Sequence, residues 1–346
     1  MNQIENRKDE HVRISLEKDV STNHNYWDDV ILIHNALPEL NFEEIDLEIE
    51  FFKKKLGAPI IISGMTGGYA KAKSINENLA KAAENFQIGM GVGSQRAALE
   101  SSELKHTYSV VKDYDIPIRI ANIGASQIVL WGHKKTLEYA NIMIDMIDAD
   151  ILAVCLNFLQ EAVQFEGETQ AKGCLKEIDL LAKDLDIPVI VKESGAGISF
   201  DVAQRISKTN ISGVDVGGLS GTSFAAIEHY RAEIYSNKLY SRVGETFWNW
   251  GISTPKSILN VGEATNWRLP IIATGGIRNG LDVAKSLALG ANSAGIARAL
   301  LKPAIEGNAI SEIDIIIREL KTAMFLTGSK NIAKMREVEV LYEPKI

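Results

Sequence analysis

Cysteine is nearly absent from this chain: Cys155 and Cys174 are the only two among 346 residues. Two thiols are too few for a disulfide framework and fit a reducing compartment, so a cytoplasmic protein is expected. Long apolar runs are missing as well. No stretch approaches the roughly 18 residues that suggest a membrane span, and the N-terminus, MNQIENRKDEHVRISLEKD, is too charged for a signal peptide. Positive charge is not in excess. Against 37 basic residues stand 45 acidic ones, a net charge of −8, which argues against nucleic acid or an anionic membrane as partner. Any phosphate site must therefore be basic locally. The histidines, at positions 11, 24, 34, 106, 133 and 229, include no pair three to five residues apart, so no transition-metal ligand spacing is present.

With 46% apolar and 24% charged residues, the chain can bury a sizeable core without staples. Eight short apolar, β-branched runs follow Pro, Asp or Gly and end in small-residue turns, as strands buried on both faces do. They cover residues 59–63, 88–93, 118–123, 151–156, 188–192, 213–216, 270–274 and 293–297. Their starts lie 23 to 37 residues apart, with one longer step of 57 that holds an insertion around residues 242–254. This cadence is one strand plus one crossover helix, and it predicts a parallel sheet. Ala72, Ile75, Leu79, Ala82, Ala83 and Phe86 share one helical face. Near the C-terminus, Ser311 opens a Ser-x-x-Asp cap, Ile313, Ile316, Ile317, Leu320 and Met324 form a stripe, and Gly328 can close the helix. Eight right-handed βα units close on themselves and remove both sheet edges. The expected fold is therefore an α/β (β/α)8 TIM barrel over residues 59–346, preceded by an N-terminal extension, residues 1–58.

In such barrels the carboxyl ends of the strands carry the chemistry. Polar and glycine residues gather there: Ser63 to Gly68, Gly93 to Arg96, Asn122 to Gly124, Asn157 to Glu161, Lys192 to Gly195 and Gly217 to Thr222. The most specific signal is Thr274-Gly275-Gly276-Ile277-Arg278 after run seven, with Gly295-Ile296-Ala297-Arg298 after run eight. Glycines there let backbone N–H groups approach phosphate oxygens, helped by a helix N-terminus. Lys192 could neutralise the N1 and O2 edge of a reduced flavin or form a Schiff base. A structural pair with Glu193 is not expected, because strand neighbours point to opposite faces. Glu161 reads either as a solvated helix-start residue or as a ligand for a hard cation, which commonly needs one protein carboxylate beside substrate phosphates. Arg7, Lys8 and His11 form a cationic cluster that is either a solvated tail or a flap closing over an anion.

Together these residues resemble the type II, flavin-dependent isopentenyl-diphosphate isomerases, particularly the archaeal members. The likeness runs from Arg7-Lys-Asp-Glu-His11 through Gly64-Met-Thr-Gly-Gly68, Gly91-Val-Gly-Ser-Gln-Arg96, Leu156-Asn157, Leu159-Gln-Glu161, Val191-Lys-Glu-Ser-Gly195, Gly221-Thr222 and Thr274-Gly-Gly-Ile-Arg278 to Leu326-Thr-Gly328. It implies a homotetramer or homo-octamer in isoprenoid biosynthesis that binds FMN and Mg²⁺, is reduced by NAD(P)H, and interconverts isopentenyl and dimethylallyl diphosphate without net redox change. By the resemblance, FMN would contact Met65, Thr66, Gly67, Ser94, Asn122, Lys192, Thr222, Gly275, Gly276, Arg278, Ala297 and Arg298. The substrate would meet Arg7, Lys8, His11, Ser94, Gln95, Arg96, Asn157, Gln160 and Ser194. Glu161 would hold Mg²⁺, and Gln160, Glu228 and Lys192 would serve the proton transfer.

Three positions depart from the family pattern: Cys155 in place of His, Phe165 in place of Pro, and Gly217 in place of Ser or Ala. Cys155 reads either as a small buried thiol or as a reactive one. Two other functions share the barrel. A 2-hydroxyacid oxidoreductase needs a histidine base near run seven, and Thr274 to Arg278 contains none. A flavin-binding regulator would have lost turnover through Cys155.

Overall fold

In the computed structural model, residues 3–344 are described, so the first and last two residues of the expected extension and barrel lie outside it. All eight runs are strands. They are Ile60–Ile62, Gly89–Gly91, Arg119–Gly124, Ile151–Cys155, Val189–Lys192, Gly213–Asp215, Ile271–Thr274 and Ser293–Ile296. Each pairs in parallel with its neighbours in chain order, and the last pairs with the first to close the barrel. Tight packing on both faces explains why the runs read as continuous apolar segments rather than alternating ones.

The crossover helices include Ala72–Phe86, with the expected apolar face turned inward, and Ala309–Leu326. The latter begins earlier than its sequence suggests. Its N-cap is Asn308 rather than Ser311, which sits within the first turn because Ala309 is already buried against the barrel layer. Gly328, at φ 70, follows the helix end as expected. The long step between strands six and seven holds an additional helix, Lys238–Thr246, between Phe224–Ile234 and Thr254–Thr265.

The extension wraps the barrel at both ends. Its strand Val30–Leu32 pairs antiparallel with Val340–Tyr342 near the C-terminus. The hairpin Ile49–Phe51 with Lys54–Leu56 packs Phe51 and Leu56 against Ile61, Ile118, Ile151, Ile190 and Ile272 of the barrel strands. This apolar plug seals the amino end. The N-terminal helix, Gln3–Glu17, lies at the opposite end, where Ile14 packs with Ala226 and Ile227. No helix among the described residues is long and apolar enough to cross a membrane.

Phe51 is buried at the plug. Its truncation removes a large apolar group from a site that neighbouring strands cannot collapse to fill. Phe51→Ala should lower unfolding free energy by about 3 kcal/mol, read as a lower urea midpoint at unchanged slope; an unaltered midpoint would show that the hairpin does not close the barrel.

Candidate active site at the carboxyl end of the barrel

Along a strand every second residue faces inward. The inward floor is apolar, with Ile61, Ile120, Ala153, Ile190 and Ile272 in one cluster. Two positions further along each of these strands comes a polar residue: Ser63, Asn122, Cys155, Lys192 and Thr274. Ser63 and Thr274 hydroxyls bond at 3.2 Å, across the bare Gly295, where a Cβ would lie 1.9 Å from Thr274 Oγ1.

Lys192 is the cation of this layer. Its ammonium pairs with Asp215 of the next strand at 3.2 Å and donates to the Glu193 carbonyl at 3.0 Å. Lys192 and Asp215 are register partners, which puts both side chains on the inner face. Burial opposes the lysine's charge most strongly, but Asp215 with Cys155 and Glu193 together outweigh it and raise the pKa above the ordinary lysine value. Lys192 is thus a fixed positive charge and not the neutral amine a Schiff base requires. The Glu193 carboxylate turns away and accepts the backbone N–H groups of residues 194–197 at 2.5–2.9 Å. Its opposite orientation follows the strand alternation.

Above this layer opens a cavity of about 740 Å³, a volume suited to a cofactor with a small substrate. One side is the glycine loop. Gly275 and Gly276 hold φ of 125° and 70°, and a Cβ on Gly276 would lie 2.2 Å from the Ser220 carbonyl. The N–H groups of Gly275, Gly276 and Ile277 donate to no acceptor among the described residues, although all three residues border the cavity. Successive free N–H groups form an anion nest. Thr222, Ala297 and Arg298 border it as well, and the Arg298 guanidinium holds Ser15 O and Ser21 Oγ of the extension. On the far side Asn122 Oδ1 is buried without a partner, while its backbone N–H is held by Gln95 Oε1. A phosphorylated flavin fits this set: a nest for its phosphate, an orphaned amide oxygen, and a cation on the floor.

The N-terminal helix brings Arg7, Lys8 and His11 to the same cavity, so the cationic cluster is not a solvated tail. Lys8 is tied down by Gly67 O, Ser94 O and the Tyr108 hydroxyl at 2.6–2.9 Å. His11 Nε2 meets Glu228 Oε1 at 2.7 Å. Burial holds the imidazole below its usual range against the pull of Glu228. For Glu228 the partners outweigh burial, and its carboxyl lies below the usual carboxylate range. His11 is the larger of these partners, followed by Arg231, which reaches Glu228, Glu166 and Glu10 at 2.6, 2.6 and 2.9 Å. Gln164, with its amide oriented to suit both neighbours, links Glu228 at 3.2 Å and Arg7 at 3.0 Å. Phe165, the departure from the family's proline, lies under the Arg231 guanidinium at 5.1 Å.

Opposite the helix, Glu161 accepts from Asn157 at 2.9 Å and from the Glu168 N–H at 2.8 Å. Burial raises its pKa despite these bonds, and Asn157 Oδ1 beside it has no partner. A buried carboxylate next to an unsatisfied amide oxygen suits a hard cation. No cage of three or more His, Cys, Asp or Glu exists among the described residues, so the remaining ligands would come from substrate and water. Arg96 borders the cavity while pairing with Glu168 at 2.6 Å. Ser194, Gln160 and Met65 border it too.

Several expected contacts are placed elsewhere. Gln95 is fully buried, its amide donating to the Met143 carbonyl, because the turn after strand two points it inward behind Asn122. Thr66 and Gly67 lie behind the cavity wall; a Cβ on Gly67 would strike the Tyr108 ring. Arg278 borders the cavity but its guanidinium bonds Asp282 and Asp28. Glu228 does not line the cavity and is reached through His11. Asp215, Arg231 and Gln164 were not anticipated. Asp215 had a signal, a charge in an otherwise apolar buried strand; the other two had none. Gly217, at φ 44, leaves no room for the family's Ser or Ala, since a Cβ would lie 1.9 Å from the Glu193 carbonyl.

A family profile described as FMN-dependent dehydrogenase matches residues 153–341. The chain is 49% identical to an isopentenyl-diphosphate delta-isomerase of Thermoplasma volcanium, covering 99% of this chain and 98% of that protein. Against the isomerase of Thermoplasma acidophilum the identity is 47%, with 96% and 95% covered, and against that of Archaeoglobus fulgidus it is 42%, with 98% and 96% covered. Among solved structures, a mandelate oxidase with benzoyl-formic acid has a TM-score of 0.62 at 14% identity, covering 92% of this chain and 88% of that one. A variant of mandelate oxidase with a monooxide FMN adduct gives 0.63 at 15% identity, covering 93% and 91%. This second likeness concerns the barrel fold.

Burial pushes both thiols up to about 11, so neither is a thiolate at neutral pH. Cys155 is half-buried at the cavity wall, and its raised pKa favours the inert thiol of the two readings. The native protein should therefore resist iodoacetamide at pH 7 and take up two equivalents once denatured; rapid native modification of Cys155 would contradict the assignment.

Proposed function

The chain belongs to the isopentenyl-diphosphate delta-isomerase family, and from that premise we propose that its carboxyl-end cavity interconverts isopentenyl and dimethylallyl diphosphate by proton transfer assisted by reduced FMN. The observation that carries this reading is that one cavity holds both the Gly275–Gly276 nest and the Arg7 guanidinium of the N-terminal helix, with the charge of Lys192 on its floor. A phosphorylated cofactor and a diphosphate substrate each need an anion-binding group.

Bound reduced FMN would supply a proton donor and an electron-rich flat wall against the substrate double bond. The chain's own residues do the rest. Lys192 offers its ammonium as counter-charge to an anionic ring edge. Arg7, Ser94, Asn157 and Ser194 bind the diphosphate, whose anchoring fixes the reacting carbons at a distance. His11, with its Nε2 proton held by Glu228, keeps Nδ1 as acceptor, and His11 with Gln160 forms the polar side of the proton path, with Glu228 acting through His11. The N-terminal helix over the mouth excludes water that would capture a carbocation.

Glu161, with the free Asn157 oxygen, would hold Mg²⁺ against the diphosphate. NAD(P)H is the proposed reductant. Two free cysteines support a cytoplasmic location, and a homotetramer or homo-octamer is proposed from the family resemblance alone. A hydroxyacid oxidation has less support, because no histidine borders the cavity except His11, which is engaged with Glu228.

With FMN, Mg²⁺ and NADPH or dithionite, the protein should convert isopentenyl diphosphate, and the oxidised protein should not. Glu228→Gln should lower kcat by about 10²- to 10⁴-fold with little change in KM. Equal activity in oxidised and reduced protein, or an unchanged kcat in Glu228→Gln, would reject the scheme.

A further inference from the structure

The glycine nest is held from behind by Trp27 and Thr254, which do not border the cavity, and from its rim by Asn25, which does. Trp27 is fully buried and donates its indole N–H to the Gly275 carbonyl at 2.8 Å. Thr254 Oγ1 donates to the same carbonyl at 3.0 Å. Asn25 Nδ2 donates to the next carbonyl, that of Gly276, at 3.0 Å. The segment carrying Asn25 and Trp27 is itself fastened: Lys285 Nζ holds the Trp27 carbonyl at 2.7 Å, and Asp28 pairs with Arg278 at 2.6 Å.

Peptide geometry turns these bonds into a consequence for the cavity. Cis peptides are absent among the described residues, and in a trans peptide C=O and N–H point in opposite directions. Fixing the Gly275 carbonyl on one side therefore aims the Gly276 N–H to the other, and fixing the Gly276 carbonyl aims the Ile277 N–H likewise. Among the described residues neither N–H group has a protein acceptor, and both residues border the cavity. At φ of 125° and 70° the two glycines have wide rotational freedom, so without the outer bonds these peptides could flip and present carbonyls to the anion.

Resting on the FMN reading above, we propose that Trp27 and Thr254, neither of which borders the cavity, are positioning residues for the cofactor's phosphate. They lock the Gly275 peptide so that the nest is formed before the phosphate arrives. The N-terminal extension thereby belongs to the cofactor site. Preorganisation of this kind appears as affinity for the phosphate-bearing ligand and not for the ring.

The test measures FMN and riboflavin dissociation constants by quenching of flavin fluorescence on the intact protein, Trp27→Phe and Thr254→Val. Riboflavin has the same ring and no phosphate. Each variant should weaken FMN about tenfold, the equivalent of about 1.4 kcal/mol, and leave riboflavin affinity unchanged. Equal weakening of both flavins would reveal a general packing role and overturn the proposal, as would unchanged FMN affinity in a folded variant. Thr254→Val, which keeps its shape and loses one hydroxyl, decides the matter if Trp27→Phe does not fold. Wild-type protein that binds neither flavin would instead overturn the flavin reading itself.

Discussion

A buried ammonium must have a counter-charge, and in this barrel that requirement is met by one pair, Lys192 with Asp215. The two sit at matched positions on adjacent parallel strands. An unpaired charge at either place would be strongly destabilising, whereas the pair is tolerated in a low-dielectric interior when further hydrogen bonds satisfy it. The Glu193 carbonyl supplies one. Because the layer below is apolar and closed off by Phe51 and Leu56, the polar face of the pair can only look toward the carboxyl end. The site chemistry follows from that orientation: a positive charge stands at the bottom of a cavity whose walls carry backbone N–H groups, amides and hydroxyls, with Arg7, Arg96, Arg298 and Glu161 around its rim.

The N-terminal extension completes this arrangement at three places. Its hairpin seals the floor, its first helix carries Arg7 and His11 to the mouth, and its segment around Trp27 braces the glycine loop. The helix is attached by ion pairs as well as by packing. Arg231 gathers Glu10 of the helix, Glu166 of the loop after strand four and its own helix neighbour Glu228. One guanidinium thus connects the cover of the cavity to the carboxylate beside His11. The aromatic ring of Phe165 beneath it gives the unusual residue at that position a packing role.

The barrel was readable in the sequence because parallel strands buried on both faces leave an uninterrupted apolar signature, and because their spacing excluded other layouts. The glycine loop and Lys192 were readable because strand ends in this architecture have a known polarity. The start of the final helix was misplaced since Ser311 offered a better local cap than Asn308, and burial of Ala309 outweighed it. Gln95 was misassigned through its neighbours Ser94 and Arg96, which do border the cavity; side-chain direction in an irregular turn has no periodicity to reveal it. Trp27, Asn25 and Arg231 act through contacts with residues far along the chain. Such pairings leave no local pattern, and only the folded arrangement exposes them.

The central claim is that Lys192 faces the flavin ring as a positive charge balanced by Asp215. Reductive titration of the FMN-loaded protein tests it most directly. Lys192→Met should lower the flavin midpoint potential by roughly 30 mV or more, the equivalent of about 1.4 kcal/mol for a two-electron couple, and Asp215→Asn should shift it the opposite way. Unchanged potentials in both variants, with FMN still bound, would contradict the account.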